Sequence, residues 1–220
     1  MDSIASALKP IPALVWGERA IYELGVGIVC DDYMLVVDDA HFVDATRKLQ
    51  SAGFRECSWS FGSVDPAFYQ NNSVKEAIYG RIVHQYGNLD DKSARFFFPS
   101  PDDRATKVVL LPSSYAHVRP EKVLAGQSSE ENIAFPSSAL LLQSIVQTLV
   151  REPVEGMWTS TLSVWALSYL YGELMMDDNV MDSCEDESAR AWFDAGIRRY
   201  DGGMDRTRTK RFGRKGYEGP

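Results

Sequence analysis

The residues whose types and spacing could do chemistry lie near the N-terminus, in Trp16-Gly17-Glu18 and, after thirteen further residues, at Asp32. Asp32 opens an apolar run at 33–37 that is typical of a buried strand. Because alternate strand residues face the same way, carboxylates at positions 32 and 34 would reach one pair of metal ions, which can clamp a phosphoryl transfer. Position 34 is a methionine, and a thioether is a poor ligand for Mg²⁺. The segment therefore predicts one strand-end carboxylate beside an incomplete metal site, and no metal ligand or cofactor is expected.

The same segment resembles the opening of nucleotidyltransferases of the polymerase-beta type, in which a short helix preceded by Gly-Ser or Gly-Gly is followed by an Asp-x-Asp strand. This likeness covers about the first sixty residues and includes the continuation VVDDAHFVDATRKLQSAGF. A broader similarity, to fungal proteins described only as nucleotidyltransferase-like, spans 13–175 and includes the blocks KVVLLPSSYAHV and FPSSALLLQSIV. The resemblance implies an α/β (α+β) fold, a mixed sheet flanked by helices.

Two positions depart from the family's pattern. Glu18 stands where a small residue would approach the triphosphate, and a carboxylate there repels phosphate. Met34 stands at the second metal ligand, and the later strand candidates ARFFFP and KVVLLP contain no third carboxylate. The resemblance therefore implies the fold without its usual reaction.

Further polar candidates follow a strand predicted at 107–111. The segment SSYAH follows it after Pro112, and loops at strand ends host sites in open α/β sheets. Its two serines have no GxSxG context, so no catalytic triad is predicted there. An exposed loop residue is the alternative for the histidine, and strand-end or capping roles are the alternative for the aspartates. The predicted catalytic polar groups are Glu18, Asp32, Tyr33, Tyr115 and His117.

Aromatic and sulfur side chains are predicted to form the apolar walls of the same site. The predicted substrate-binding residues are Trp16, Met34, Trp158, Trp165 and Tyr169. Because aromatic side chains bury large areas, a place in the hydrophobic core is the alternative for the tryptophans and the tyrosine.

The elements that must position these residues alternate between helix and strand, which favours an α/β sheet. Apolar periodicity and turn residues predict helices over 13–24, 40–51 and 74–86, and strands over 33–37, 54–59, 94–98, 107–111 and 133–135. After Pro136 the pattern becomes helical, over 139–151, 157–175 and 186–199. The predicted organisation is an α/β core at 1–135, a C-terminal helical layer at 136–200 that packs on it, and a basic flexible tail at 201–220.

The charge distribution argues against a nucleic-acid partner. The chain has a net charge of −8, while residues 205–220 hold six Lys or Arg and two Asp or Glu, so the rest carries −12. Phosphate binding needs clustered Lys and Arg, and the acidic body does not offer them. Three widely spaced cysteines without a ligand pattern indicate reduced thiols and a cytoplasmic location. Neither a signal peptide nor a membrane span is predicted, because the most apolar stretch is interrupted by polar residues.

A cleft of this fold without metal ligands suits a mostly apolar small molecule that a few polar groups orient. The resulting hypothesis is a cofactor-independent cyclase or isomerase, of the pericyclase or Diels–Alderase type, that acts by preorganisation and hydrogen bonding in fungal secondary metabolism. Two alternatives stay open. One is a non-catalytic pseudoenzyme that keeps the fold as a binding module, and the other is a divergent Mg²⁺-dependent nucleotidyltransferase with ligands from other positions.

Overall fold

The structure, a computed structural model, describes residues 1–100, 106–125, 132–153 and 156–197. Six strands form one mixed sheet in the order β3-β4-β5-β2-β1-β6. They are β1 (Ala13–Trp16), β2 (Tyr33–Val37), β3 (Arg55–Glu56), β4 (Ala94–Phe97), β5 (Lys107–Pro112) and β6 (Ile133–Ala134). The β2–β5 and β1–β6 pairs are parallel, and the other neighbouring pairs are antiparallel. The prediction of a mixed α/β fold is confirmed.

Ten α-helices in the described residues surround this sheet. They are α1 (Asp2–Leu8), α2 (Glu18–Glu23), α3 (Phe42–Ser51), α4 (Ser73–His84), α5 (Gly87–Lys92), α6 (Ser113–Ala116), α7 (Pro120–Leu124), α8 (Ser138–Arg151), α9 (Gly156–Val164) and α10 (Glu187–Ile197). Short 3₁₀ turns cover Asp39–His41 and Pro66–Phe68, and a π-helix continues α9 over Trp165–Glu173. No helix within the described ranges combines the length and the apolar character needed to cross a bilayer.

The helix predicted over 13–24 is wrong in its first half. Residues 13–16 form the buried strand β1, which pairs with β2 on one side and β6 on the other. A strand that is buried on both faces shows a continuous apolar run, which periodicity alone does not distinguish from a helix. Gly17 then turns the chain into α2 at φ +66°, and a Cβ at this position would lie 2.7 Å from the sulfur of Met34. Glycine is therefore required both by the backbone and by the packing beneath it.

The remaining predicted elements differ mainly at their ends. The strand predicted over 54–59 is reduced to two residues, and the helix predicted over 157–175 is divided between α9 and the π-helix. Strand β2 has the predicted bounds, and the Asp38 side chain caps the next turn by accepting the backbone N–H of Ala40. Helices α1, α5, α6 and α7 were not predicted. The basic tail predicted at 201–220 lies outside the described residues.

One hydrophobic core extends through the sheet and the C-terminal helices. It includes Leu35 and Val109 from the sheet and Ile145 and Leu162 from the helices. Trp16 joins the two layers, since its indole N–H donates to Ser144 Oγ at 2.8 Å. Residues on both sides of position 135 therefore share a single core.

Candidate functional site

A cavity of about 760 Å³ opens at the edge of the sheet where β2 and β5 begin. Asp32 precedes β2 and Lys107 starts β5, and because these strands are parallel neighbours, both residues lie at this edge. Strand β1 runs antiparallel to β2, with Trp16 opposite Met34, so the end of β1 brings Glu18 to the same edge. The topology thus gathers polar residues that are far apart in sequence.

Asp32 and Lys107 are the most deeply buried charged groups among the described residues of the cavity, with 8% and 6% exposure. The Asp32 Oδ1 atom accepts the backbone N–H of Lys107 at 2.6 Å. Burial raises the pKa of Asp32, while the positive charge and the backbone N–H of Lys107 act in the opposite direction. The Lys107 ammonium donates to the backbone carbonyls of Phe61 at 3.1 Å and Ser63 at 3.2 Å. Lys107 therefore ties a distant loop to the sheet edge.

We call residues 59–65 the cavity loop. A partly buried ion pair holds its first half: Asp90 Oδ1 accepts the backbone N–H of Phe61 at 2.8 Å and lies 3.1 Å from Arg95 Nη1. Arg95 Nε donates to the carbonyl of Trp59 at 2.8 Å. The cavity loop is thus fixed by side chains from three elements, and its aromatic rings are held in place.

Aromatic and apolar side chains form most of the cavity wall. Those that line it are Trp59, Phe61, Val64, Phe68 and Tyr86. Phe61 and Tyr86 lie 5.6 Å apart between ring centroids, and both pack on Trp158 from the layer behind. The backbone passes so close to the Tyr86 ring that a Cβ on Gly62 would lie 2.2 Å from it. Such a wall suits an apolar ligand.

Glu18 is the carboxyl group best placed to act on a bound molecule. It is half-buried at the start of α2, and its Oε2 atom accepts the backbone N–H of Asp31 at 3.3 Å. Burial raises the pKa of Glu18, and the nearby charges of Asp31 and Asp32 raise it as well, against the opposing effect of the Asp31 N–H. A carboxyl group in this environment keeps its proton to a higher pH than usual and can donate a hydrogen bond.

A second apolar depression, here called the side groove, meets the cavity at Glu18 and Asp31. It has a volume of about 510 Å³, and Trp165 and Tyr169 of the π-helix lie in its wall. π-helical turns are rare in proteins, and many of those that do occur lie at functional sites. Glu18 therefore faces two apolar compartments, and two of the predicted substrate-binding residues line the second one.

Other predicted site residues lie in the layer behind the cavity. Trp16, Met34 and Trp158 are buried in the core, and the three tryptophans, including Trp165, contact one another at centroid distances of 5.4 to 6.3 Å. Tyr33 points to the opposite face of β2 from Asp32, because side chains alternate along a strand. There it lies under the Arg19 guanidinium at 4.2 Å and edge-on to Phe98.

Tyr115 and His117 are not brought to the cavity with Glu18 and Asp32. They follow the far end of β5, about 20 Å of strand from Lys107. The Tyr115 hydroxyl is buried and accepts the indole N–H of Trp158 at 2.8 Å, and burial raises its pKa. His117 Nε2 lies 3.3 Å from Glu152 Oε1, without the geometry of a hydrogen bond. Tyr115 and His117 lie at the end of the sheet where the parallel strands β2 and β5 finish. The cavity lies at the other end, where these strands begin and the antiparallel β1 finishes.

The polar groups present do not fit a two-metal site. The residue that shares a face of β2 with Asp32 is Met34, which is 2% exposed and packs beneath Gly17. Across the described part of the chain, no group of three His, Cys, Asp or Glu side chains is arranged to hold a metal ion. The chemistry that this donor set supports is hydrogen bonding and proton transfer by carboxyl groups beside aromatic rings.

The sequence did not point to the cavity loop, Tyr86 or Lys107. One available signal was a lone lysine opening the otherwise apolar run KVVLLP, which is unusual for a buried strand. No known protein family, curated protein or solved structure matches the chain, so its function has to be inferred from the cavity itself.

Proposed function

We propose that this chain binds an apolar small molecule in the cavity and cyclises or isomerises it by conformational preorganisation and hydrogen-bond polarisation. The main support for the proposal is the position of Glu18, whose half-buried carboxyl group lines an aromatic cavity of about 760 Å³ and has a raised pKa. A nucleotidyltransferase-like ancestry and a place in fungal secondary metabolism belong to the same proposal.

The rate advantage would come first from folding the substrate. An extended polyene loses much conformational freedom when its ends meet, and a shaped apolar cavity pays that cost on binding. Phe61 and Tyr86 are fixed by ring packing, and the cavity loop is fixed by Lys107 and Arg95, so the wall is ordered before the ligand arrives. In a [4+2] cyclisation two carbon–carbon σ bonds form, two π bonds are consumed and a third moves. No atom is gained or lost.

The second contribution would be electrostatic. Protonated Glu18 donates a hydrogen bond to a carbonyl oxygen conjugated with the reacting double bond and draws electron density from it. Such a donor has a large effect in a water-poor site, where removal of one preorganised donor costs roughly 100-fold to 1000-fold in rate. Because only the protonated carboxyl donates, the rate should fall as the pH rises through the raised pKa of Glu18.

The test uses a linear polyene that carries both a conjugated diene and an α,β-unsaturated ketone. Chromatography with mass detection follows its conversion to an isomer of unchanged mass. Wild-type protein should accelerate the conversion, Glu18→Leu should lose about 100-fold, and Glu18→Gln, which keeps a weaker donor, should fall between them. Glu23→Gln, at the exposed far end of the same helix, is the matched control and should match wild type.

Two results decide between this proposal and its alternatives. Binding of the polyene without any isomerisation favours the non-catalytic module. Mg²⁺-dependent nucleotide turnover that Asp32→Ala abolishes favours the divergent transferase and contradicts the cyclase.

A further inference from the structure

A third apolar compartment adjoins the cavity along α4. We call it the α4 groove; it has a volume of about 540 Å³ and is lined by Val64, Phe68, Lys75, Ile78, Tyr79 and Ile82. Two of these residues, Val64 and Phe68, also line the cavity. The groove and the cavity therefore share a wall and form one continuous apolar surface.

Helix α4 is unusual because none of its twelve side chains is buried. Ile78 and Phe68 remain 42% and 75% exposed on the two sides of the α4 groove. The helix is nevertheless well formed, since Asn72 caps its first turn and Tyr79 stacks on Tyr69 at a centroid distance of 4.6 Å. An ordered helix that holds an apolar face open to water is the arrangement expected of a ligand-binding surface.

The charges at the inner end of this surface restrict what can occupy it. Among the described residues that line the cavity, four carry carboxyl groups, namely Glu18, Asp31, Asp32 and Asp65, and one, Lys107, carries an ammonium group. That ammonium is already engaged by two backbone carbonyls of the cavity loop. An anionic head group would be repelled there, whereas a neutral carbonyl meets a hydrogen-bond donor at Glu18.

We propose that the substrate is an unbranched apolar chain with a neutral carbonyl group, that its carbonyl end lies at Glu18, and that its chain passes Phe68 into the α4 groove. The inference rests on the proposed function, since it extends the same cavity. From Lys75 to Ile82 the helix rises about 10 Å, so the groove accommodates several methylene groups beyond the shared wall. Each methylene that leaves water should raise the affinity about fourfold.

The test measures the affinities of 2-hexanone, 2-octanone and 2-decanone by ligand-observed NMR and by displacement of the neutral dye Nile red. Affinity should rise about fourfold per methylene for wild type. Ile78→Ser, which removes an apolar wall of the groove, should flatten this rise while leaving 2-hexanone binding unchanged. Val74→Ser is the matched control, because Val74 is 68% exposed on the same helix and does not line the groove. Both substitutions are at exposed positions, and circular dichroism verifies that the fold is retained.

The head-group assignment is tested with hexanoate, octanoate and decanoate at pH 7.5. Each should bind at least tenfold more weakly than the ketone of the same length. Equal binding of acids and ketones overturns the head-group assignment. Binding of 2-hexanone with no increase for longer chains overturns the groove assignment alone. If none of the three ketones binds and Glu18→Leu isomerises the polyene at the same rate as wild type, the proposed function is overturned.

Discussion

Replacement of Lys107 by methionine tests whether the buried lysine organises the cavity. Methionine keeps most of the apolar stem but removes the ammonium and its bonds to the carbonyls of Phe61 and Ser63. A hydrogen bond to a charged group contributes about 1.5 kcal/mol or more, and the substitution removes two of them. We therefore expect Lys107→Met to lower the free energy of unfolding by about 3 kcal/mol, or roughly 6–12 °C in Tm for a chain of this size.

The loss should depend on pH because the lysine charge acts on Asp32. Burial raises the pKa of this aspartate and Lys107 opposes the rise, so the pKa increases further in the variant. An aspartate whose pKa is higher in the folded than in the unfolded state stabilises the fold most below its unfolded pKa, which is near 4. This contribution to the free energy of unfolding is lost as the pH rises through the pKa of the folded state. The difference between wild type and Lys107→Met should accordingly be larger at pH 7.5 than at pH 4.5.

Urea unfolding followed by tryptophan fluorescence at both pH values measures these free energies. A double-mutant cycle with Asp32→Asn isolates the coupling, since asparagine removes the charge whose burial is penalised. Lys107→Met should cost at least about 1 kcal/mol less in the Asp32→Asn background than in wild type. Equal costs in the two backgrounds, together with a loss that does not change with pH, would refute the role assigned to the lysine.

Three further predictions follow from the same structure. Gly62→Ala places a Cβ against the Tyr86 ring, so it should lower the free energy of unfolding by about 1–3 kcal/mol and weaken the binding of Nile red. If neither quantity changed, the close approach of the Gly62 backbone to this ring would be contradicted. Glu18→Gln should remove the pH dependence of the isomerisation rate, which in wild type declines as Glu18 loses its proton, and a wild-type rate that rises with pH would contradict the donor role. Asp186 accepts hydrogen bonds from Arg151 and from the start of α10, which lower its pKa to about 2. Asp186→Ala should therefore destabilise the protein at pH 7. Thermal unfolding should show that the difference in stability between the variant and wild type vanishes as the pH falls from about 4 towards 2.

Local sequence signals predicted the sheet better than the helices around it. Strand β2 was predicted with its observed bounds because its apolar run is short, rich in valine and flanked by aspartates. Strand β1 was assigned to a helix because ALVW does not alternate, and it is a strand only because the sheet surrounds it on both sides. The π-helix at Trp165–Glu173 depends on a backbone hydrogen-bond register that the side-chain pattern does not encode.

The candidate site was predicted only where its residues are near one another in sequence. Glu18 begins a short helix and Asp32 precedes the next strand, and this spacing predicts that both lie at the same edge of the sheet. In the structure both residues line one cavity. Lys107 and the cavity loop come from distant segments, and their positions follow from the pairing of β5 with β2. The prediction for His117 rests on the rule that sites lie at the carboxyl ends of parallel strands. Strand β1 is antiparallel to β2, so it brings α2 and Glu18 to the opposite end of the sheet.

The position of Glu18 between two compartments has a consequence for its exchange of protons with water. A ligand that fills the cavity covers one side of this carboxyl, while the other side faces the side groove and Asp31. Glu18 can therefore exchange its proton with bulk water through the side groove while a molecule occupies the cavity. Its protonation state then follows the pH of the solution whether or not the cavity is filled.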